Sequence, residues 1–503
     1  MRFSSKTMGP YRIGAVVFGL AFVLLMADRV GLIDRLPQRR SLPEASAAAV
    51  SERSTWMNIF QNNRKIGFSH AVVSREDQGI VLEQTLFMRI NTMGMIHSIH
   101  LNTEGRMNPD MTLASFRFSM SSGRFEFSAR GAVEGDRLIV QTENEGSRQR
   151  LEVPLAAKPY LAAGIFDAIW ASGVEPGMRK VVPVFDPATM GQEPVAVEVI
   201  GIEPVQIMGK TVQAHKLILD FKGVYQEAWI GENGDILRQR GFLGITLEKT
   251  DRESALFGLP VEASEDMTEA VSISSNVDLS RARELDRLQV EISGIDLQRL
   301  DLGTGRQQMT GSVLTVTKES LQGLSQQLTG EALDALADPY LSSTPFIQSD
   351  HPRIRKLSAE ITAKSRSPLQ RVQRLVAWIH SNIEQRPVVS VPDALATLQN
   401  RVGDCNEHAV LMAALARAAG VPAEIEAGLV YLRGRFFYHA WNRVYVGRWI
   451  TVDALFDQIP ADVSHIRLAA GSPEQQVDLM SVIGRVRLTV IEPGAGQAQN
   501  TQR

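Results

Sequence analysis

The stretch GDCNEHAVLMAALARAAGVP, residues 403–422, is the part of this sequence that says most about the fold. Its second half is nearly all apolar and stops at Gly420 and a following proline, as helices commonly do. At its start, Asp404 as the N-cap and Glu407 at the third helical position form the pattern of a capping box. The stretch therefore predicts a buried helix whose first residue is Cys405.

The predicted helix start would give Cys405 a distinct chemical environment. Unpaired backbone N–H groups and the positive end of the helix dipole meet there. Both favour a thiolate and an oxyanion near the sulfur, as a nucleophilic cysteine requires. The carboxylates of Asp404 and Glu407 oppose a second negative charge. Free cysteines are also common core residues, so Cys405 alone leaves a nucleophile and a packing residue as alternatives.

Two downstream segments add a base and a carboxylate. FYHAWNRVYV, residues 437–446, predicts a strand that carries His439. WITVD, residues 449–453, predicts the next strand, which ends in Asp453. A general base and an orienting carboxylate on adjacent strands would complete a Cys-His-Asp set.

The turn between these strands decides whether His439 and Asp453 share one face of the sheet. A two-residue turn would put them on opposite faces. A three-residue turn at residues 446–448 would pair Trp441 with Asp453 and put His439 diagonally on the same face. The Cys-His-Asp interpretation therefore predicts an odd-length turn or a bulge.

This part of the chain resembles the transglutaminase-like superfamily, a branch of the papain-like cysteine fold. The resemblance rests on GDCNEHAVLMAALARAAGVPAEIEAGLVY, residues 403–431, and YHAWNRVYVGRWITVDA, residues 438–454. It implies that Cys405 is the nucleophile, His439 the base and Asp453 the orienting carboxylate. The superfamily includes transamidases, amide hydrolases and inactive structural copies.

The resemblance extends from roughly Pro352 or Leu395 to His465. PADVSH, residues 460–465, is similar to the region that follows the aspartate in bacterial members. Ala454 follows the aspartate where proline is usual in the superfamily, and no side-chain chemistry depends on that position. The N-terminal segment and the strand-rich region described below are also similar to those of bacterial envelope proteins that carry this domain.

By this resemblance, two residues that precede Cys405 in the sequence, Gln399 and Trp378, are candidate oxyanion donors. Gln399 lies six residues before Cys405, the offset seen in papain-like proteases. Trp378 is the alternative, in the upstream-tryptophan role known in transglutaminases. A structural role explains either residue as well.

Trp441, Asp462 and His465 are further candidate site residues, all of which follow His439 in the sequence. Trp441 follows His439 by two residues, so both lie on one predicted face, where the indole would cover the imidazole or pack in the core. We expect Asp462 and His465 to shape the rim of the cleft or to cap a loop.

A metal site is the competing interpretation of the same residues. Cys405 and His408 lie one helical turn apart and could bind a metal with His439, Asp453 or His465. We rank this below the triad because no second thiolate or tight histidine pair is present. The sequence therefore predicts no metal and no cofactor, and it shows no calcium loop or phosphate loop.

The fold class predicted for the chain is α+β. Residues 56–250 alternate between apolar and polar, as half-buried antiparallel strands do, with a helical break at 160–171 and a hairpin turn at Asn233-Gly234. Residues 251–345 predict a smaller region with strands at 288–295 and 313–317. The transglutaminase-like domain is predicted at 346–491, with helices at 369–383 and 393–399, and a disordered tail at 492–503.

The N-terminus predicts a membrane anchor. IGAVVFGLAFVLLMA, residues 13–27, is an uncharged apolar run preceded by basic residues, and no cleavage site follows it promptly. We interpret residues 1–36 as an uncleaved signal anchor and 37–55 as a linker, the alternative for the run being a buried core helix. This predicts a single-pass protein of a bacterial inner membrane whose large C-terminal part is periplasmic.

Composition sets outer limits on function. The chain has 503 residues, of which 44% are hydrophobic and 22% charged, so it is neither disordered throughout nor a polytopic membrane protein. A net charge of −3 gives no basic field for sequence-independent binding of nucleic acid. A single cysteine excludes a disulfide within the chain and a zinc site with several thiolates.

Two classes of function follow from these features. The first is an envelope-anchored cysteine enzyme that acts on a protein, a peptide or another amide through an acyl-enzyme. Hydrolysis is favoured because water is abundant and the sequence shows no amine-binding feature, and protein transamidation is the alternative. The second class is a non-catalytic envelope scaffold whose strand-rich region binds a ligand or partner. The sequence leaves the oligomeric state open.

Overall fold

The structure, a computed structural model, describes residues 45–76, 79–144, 147–221, 223–258, 265–300, 302–324, 340–471 and 482–495. All of them belong to one compact unit, Glu44–Arg503. The predicted anchor lies outside the described residues. Among the residues that are described, no helix combines the length and the apolar character that crossing a membrane requires.

Fifteen strands form one large sheet in the N-terminal half of the described chain. Two meanders, β1 to β8 and β9 to β15, join where β1 pairs with β15, so that Trp56 lies opposite Thr250. Every pairing in this sheet is antiparallel except that of β9 with β10. The strands are β1 (Arg53–Gln61), β2 (Arg64–Glu76), β3 (Gly79–Thr92), β4 (Met95–Met107), β5 (Leu113–Ser122), β6 (Phe125–Glu134), β7 (Arg137–Asn144), β8 (Ser147–Pro154), β9 (Tyr160–Leu161), β10 (Arg179–Asp186), β11 (Gly191–Ile207), β12 (Lys210–Phe221), β13 (Val224–Gly231), β14 (Ile236–Arg240) and β15 (Ile245–Thr250).

The predicted period-two pattern is present in these strands because one face of the sheet is buried and the other is more exposed. On β11, for example, Val195, Val197 and Val199 are buried. The predicted helical break contains β9 and helix α1 (Ile165–Ala171). The turn at Asn233-Gly234 differs from a two-residue hairpin: Ile230 lies opposite Ile236, and residues 232–235 form a longer connection.

The end of the predicted linker is ordered. Ala45 and Val50 are buried, and the Ala47 amide donates to the Pro109 carbonyl oxygen at 2.8 Å. The linker prediction is therefore wrong for residues 45–55, because this segment packs against the sheet and leads directly into β1.

A second, four-stranded sheet follows, in the order β18-β19-β17-β26. Its last strand comes from the C-terminal end of the described chain, where Glu492 pairs with Gln289. The predicted tail is thus wrong for residues 492–495, which continue a strand, and residues 496–503 lie outside the described residues. The elements of this region are α2 (Arg252–Leu256), α3 (Met267–Val271), β16 (Ile273–Ser274), β17 (Leu285–Ser293), β18 (Gln307–Thr310), β19 (Val313–Thr317) and β26 (Arg487–Ala495).

The remaining elements combine a helical layer with a five-stranded sheet. The sheet has the order β16-β23-β22-β25, and β24 pairs with β23. The apolar helix α7 is buried between the other helices and strands β22 and β23, which explains why nearly all of its residues are hydrophobic. The elements are α4 (Pro352–Thr362), α5 (Pro368–Asn382), β20 (Glu384–Gln385), α6 (Ala394–Asn400), β21 (Val402–Gly403), α7 (Cys405–Ala418), β22 (Ala423–Leu432), β23 (Arg435–Tyr445), β24 (Trp449–Val452) and β25 (Ile466–Ala470).

Candidate active site

Cys405 is the first residue of α7, as predicted. Asp404 is the N-cap, and its Oδ1 accepts a hydrogen bond from the Asn406 amide at 2.9 Å. Glu407 reaches back, and its Oε2 accepts from the Asp404 amide at 3.0 Å. The predicted capping box is therefore confirmed, and it holds the sulfur at the helix N-terminus. Cys405 keeps part of its surface exposed.

The turn between β23 and β24 has the odd length that the triad requires. Tyr445 pairs with Trp449, so three residues, 446–448, connect the strands. This register puts His439 and Asp453 on one face of the sheet. His439 Nε2 donates a hydrogen bond to Asp453 Oδ2 at 2.7 Å.

The carboxylate of Asp453 is buried, and both of its oxygens accept hydrogen bonds. Its Oδ1 accepts from the backbone amides of Leu455 at 2.8 Å and Phe456 at 3.0 Å. Its Oδ2 accepts from His439 and also from Nε2 of His465 at 3.0 Å. Burial alone would raise the pKa of Asp453, but the charges and hydrogen bonds of His439 and His465 outweigh it and hold this pKa well below its usual range.

Because His439 Nε2 donates to a carboxylate, the neutral imidazole carries its proton on that nitrogen. Its Nδ1 then has a free lone pair that can accept a proton. This is the tautomer that a general base needs, and the hydrogen bond to Asp453 selects it.

The surroundings of Cys405 favour its protonated thiol over the thiolate. Burial is the first cause that raises its pKa well above the ordinary value, and the charge of Asp404 is the second. The charges of Glu407 and Asp453 act in the same direction, and a hydrogen bond from the Ala440 backbone amide opposes them. The opposition of Asp404 and Glu407 to a thiolate, expected from the sequence, is thus present, and burial of the thiol adds to it.

Three of the further candidate residues lie together behind the imidazole. Trp441 stacks beside His439 with ring centroids 5.9 Å apart, and its Nε1 donates to Glu426 at 2.8 Å. His465 is fully buried, which excludes the first of its two predicted roles, shaping the cleft rim, and leaves the second, capping a loop. Asp462 caps its own loop, as predicted, by accepting from the Ser464 amide at 2.9 Å.

The two candidate oxyanion donors have other partners among the described contacts. The Gln399 side chain is exposed, and its oxygen accepts from Arg353 at 3.3 Å. The Trp378 ring lies 4.7 Å beneath the guanidinium of Arg401, although the indole packs against the same core as Cys405. Neither contact brings a donor to the sulfur.

Phe456 is a site residue that the sequence analysis missed. Its ring stacks on His439 with centroids 4.9 Å apart and planes 19° apart, closer and flatter than Trp441. An aromatic residue three positions after the predicted aspartate was the only available signal. Phe456 also lines an open groove of about 940 Å³, together with Gln458, Asp462 and the tip of the β22–β23 hairpin. Phe456 therefore links this groove to the His439 ring, on which it stacks.

The structure does not assemble the metal site that begins with Cys405 and His408. His408 instead donates from Nδ1 to the Asp404 carbonyl oxygen at 2.7 Å. Within the part of the chain that the structure describes, the group whose ligand atoms come within 4.8 Å of one another is His439, Asp453 and His465. These atoms already bond to one another, so their protons occupy the positions that a metal would take.

Residues 355–454 match the transglutaminase-like superfamily, which confirms the resemblance found in the sequence. No curated protein gives a significant match to the chain.

Several solved structures are similar in part. A proposed cysteine protease of Cytophaga hutchinsonii is 18% identical and covers 40% of this chain and 83% of its own, with a TM-score of 0.28. A beta-barrel-like protein of the family of unknown function DUF1849 from Brucella abortus is 11% identical. The match covers 40% of this chain and 99% of the Brucella protein, with a TM-score of 0.31. The periplasmic domain of TgpA from Pseudomonas aeruginosa is 14% identical. The match covers 54% of this chain and 92% of the TgpA domain, with a TM-score of 0.23.

Proposed function

We propose that this chain, through its transglutaminase-like domain at residues 355–454, is a cysteine enzyme that cleaves amide bonds of a protein or peptide. The observation that carries the proposal is the hydrogen bond from His439 Nε2 to the buried Asp453 carboxylate. This hydrogen bond leaves His439 Nδ1 free to act as the base. The next residue on the same strand, Ala440, donates a backbone hydrogen bond to the Cys405 sulfur.

The proposed reaction begins from a neutral pair. Because the thiol of Cys405 has a raised pKa, the sulfur keeps its proton until a carbonyl carbon is in place. His439 Nδ1 takes this proton as the sulfur attacks, and the carbonyl oxygen becomes an oxyanion near the first N–H groups of α7. The C–N bond then breaks, the amine leaves with the proton from His439, and an acyl-enzyme remains on Cys405.

Water completes the proposed cycle. His439 removes a proton from a water molecule that attacks the thioester, and the same proton returns to the sulfur as the carboxylic acid leaves. Hydrolysis is favoured over capture by an amine because water is abundant and the sequence shows no amine-binding feature. Transamidation would use the same acyl-enzyme with an amine in place of water.

An extracytoplasmic, membrane-anchored location is part of the proposal. It rests on the apolar run at residues 13–27 and on the basic residues before it. Separation of membrane and soluble fractions of cells that express the full chain tests it, and recovery in the soluble fraction would contradict the anchor.

A covalent-intermediate experiment tests the proposed chemistry. The full chain is mixed with peptidyl p-nitrophenyl esters and with peptidyl aminomethylcoumarin amides, and the intact mass and product release are measured. Since the chain contains one cysteine, an acyl adduct that disappears in Cys405→Ala identifies the nucleophile. We expect His439→Ala to lower turnover by about 10²- to 10⁴-fold, the usual contribution of a general base.

His100→Gln is the matched control, because His100 is an exposed histidine of the large sheet. It should acylate at the wild-type rate. If iodoacetamide labels Cys405 but no ester or amide acylates it, the scaffold interpretation replaces the enzyme. If added n-butylamine diverts the acyl group from water, the enzyme is a transamidase.

A further inference from the structure

His465 lies between two buried carboxylates. Its Nε2 bonds to Asp453 Oδ2 at 3.0 Å, and its Nδ1 bonds to Asp462 Oδ1 at 3.3 Å. The imidazole is completely buried. Both ring nitrogens of His465 are thus hydrogen-bonded to carboxylate oxygens.

The hydrogen-bond directions determine the charge of this ring. Ionised carboxylates only accept hydrogen bonds, so both nitrogens of His465 must carry protons, and the ring is an imidazolium. Asp462 accepts further bonds from the Ser464 hydroxyl and from Gln458 Nε2 at 2.9 Å, and these donors stabilise its ionised form. The pKa of His465 agrees: burial alone would lower it, but the two carboxylates raise it to about 8.

The other charged groups around His465 do not replace this cation. The Arg306 guanidinium donates to the backbone oxygens of Asp462 and His465, at 3.0 Å and 2.9 Å, and is paired with Glu319. The His439 ring lies 5.8 Å from the His465 ring, on the other side of Asp453. Trp441 and Phe456 close the remaining sides with apolar rings. His465 is therefore the ring that contacts both Asp453 and Asp462 directly.

We propose that His465 is a positioning residue of the triad, which acts through Asp453 rather than on substrate. Its Nε2–H fixes the orientation of the Asp453 oxygen that also receives His439. Its positive charge keeps Asp453 ionised and sets how strongly that carboxylate attracts a proton on the catalytic imidazole. Asp462 in turn keeps His465 charged. The role of the triad itself rests on the proposed function, but the charge of His465 does not.

The test measures two properties of the full chain. The first is the pH–rate profile of Cys405 alkylation by iodoacetamide, which has one possible target. In His465→Gln, which keeps a donor but removes a cation, we expect the midpoint of this profile to move upward by about one unit, because loss of a nearby positive charge disfavours every deprotonation around it. A profile that coincides with that of the wild type would overturn the proposal.

The second property is the charge of His465, followed by the ring ¹⁵N shifts of labelled histidine. We expect one histidine to stay doubly protonated at pH 7 and to titrate at lower pH in Asp462→Asn. A neutral His465 at pH 6.5 would overturn the proposal even if His465→Gln failed to fold. His100→Gln serves as the control for both measurements.

The two proposals can fail separately. If no acyl adduct forms on Cys405 but His465 is charged and its substitution moves the alkylation profile, the positioning role stands and the enzymatic function does not. If the adduct forms and His465→Gln leaves the profile and kcat unchanged, only the positioning role is lost.

Discussion

Gly428 lies against the backbone oxygen of Ile466, so closely that a Cβ atom on Gly428 would be 2.0 Å from it. Gly428 is also the residue opposite His439 in the β22–β23 hairpin. This contact joins β22, the strand paired with that of His439, to β25, which begins directly after His465. The absence of a side chain here allows β25 to approach and brings His465 to Asp453.

Gly428→Ala should therefore disturb the site without touching any of its polar groups. The added methyl meets backbone atoms that cannot move aside, so we expect a loss of about 3 kcal/mol in the free energy of unfolding. Chemical denaturation measures it. Gly303→Ala is the matched control, because its new Cβ would meet nothing closer than 3.9 Å. Equal stability of the two variants would contradict the contact.

Asp453→Asn should remove the tautomer that catalysis needs, and it should also lower the free energy of unfolding because His465 loses one of its two buried carboxylate partners. The amide can no longer hold a proton on His439 Nε2 by charge, so we expect kcat to fall by about 10²- to 10⁴-fold. Turnover of the best ester found in the acylation experiment measures it. Asp457→Asn, at an exposed aspartate four residues away, should retain wild-type turnover. A kcat within twofold of wild type for Asp453→Asn would contradict the role of the carboxylate.

Asp404→Asn should make the cysteine more reactive. Asparagine caps a helix as well as aspartate does, but it removes the charge that is the second cause of the raised pKa of Cys405. Alkylation by iodoacetamide at pH 8 should become faster by up to about tenfold, the effect of one pKa unit. Glu360→Gln removes an exposed helix carboxylate and should change nothing. An unchanged or slower rate in Asp404→Asn would show that this charge does not control the thiol.

The stability of the protein should depend on the protonation of His465. Its pKa is raised from 6.5 to about 8 in the folded state, so folding favours the protonated form. The resulting stabilisation, about 2 kcal/mol, is fully present below pH 6.5 and is lost as the pH rises through about 8.

Urea unfolding at pH 6.0 and pH 8.5 checks this expectation. The free energy of unfolding should fall between the two values more steeply in the wild type than in His465→Gln, which lacks the titrating ring. His100→Gln should follow the wild type. Parallel pH dependence of the wild type and His465→Gln would refute the linkage.

Much of this protein follows from local patterns in its sequence. The capping box at Asp404 and Glu407 places Cys405 at the start of α7, because both partners lie within one turn of chain. The alternation of apolar residues identifies the strands of the large sheet, since the period of a strand is itself local. The three-residue turn was deducible as well, because a triad with His439 and Asp453 on one face allows no even-length connection.

The electrostatics of the site did not follow from those patterns. The helix start at Cys405 is visible in the sequence, but the desolvation that raises the pKa of its thiol depends on how elements distant in sequence pack around it. The last residues of the described chain, 492–495, looked like a tail because their partner, β17, lies some two hundred positions earlier.

The sequence alone placed Cys405 at a helix start and predicted the register that brings His439 and Asp453 together, because helix caps and strand periods act over a few residues. Only the tertiary structure decided that His465 is a buried cation between Asp453 and Asp462. That position depends on β25 packing beside β22 at Gly428, a contact between segments distant in sequence, which no local pattern encodes. The charge of His465 likewise arises only where two carboxylates meet one ring out of reach of water.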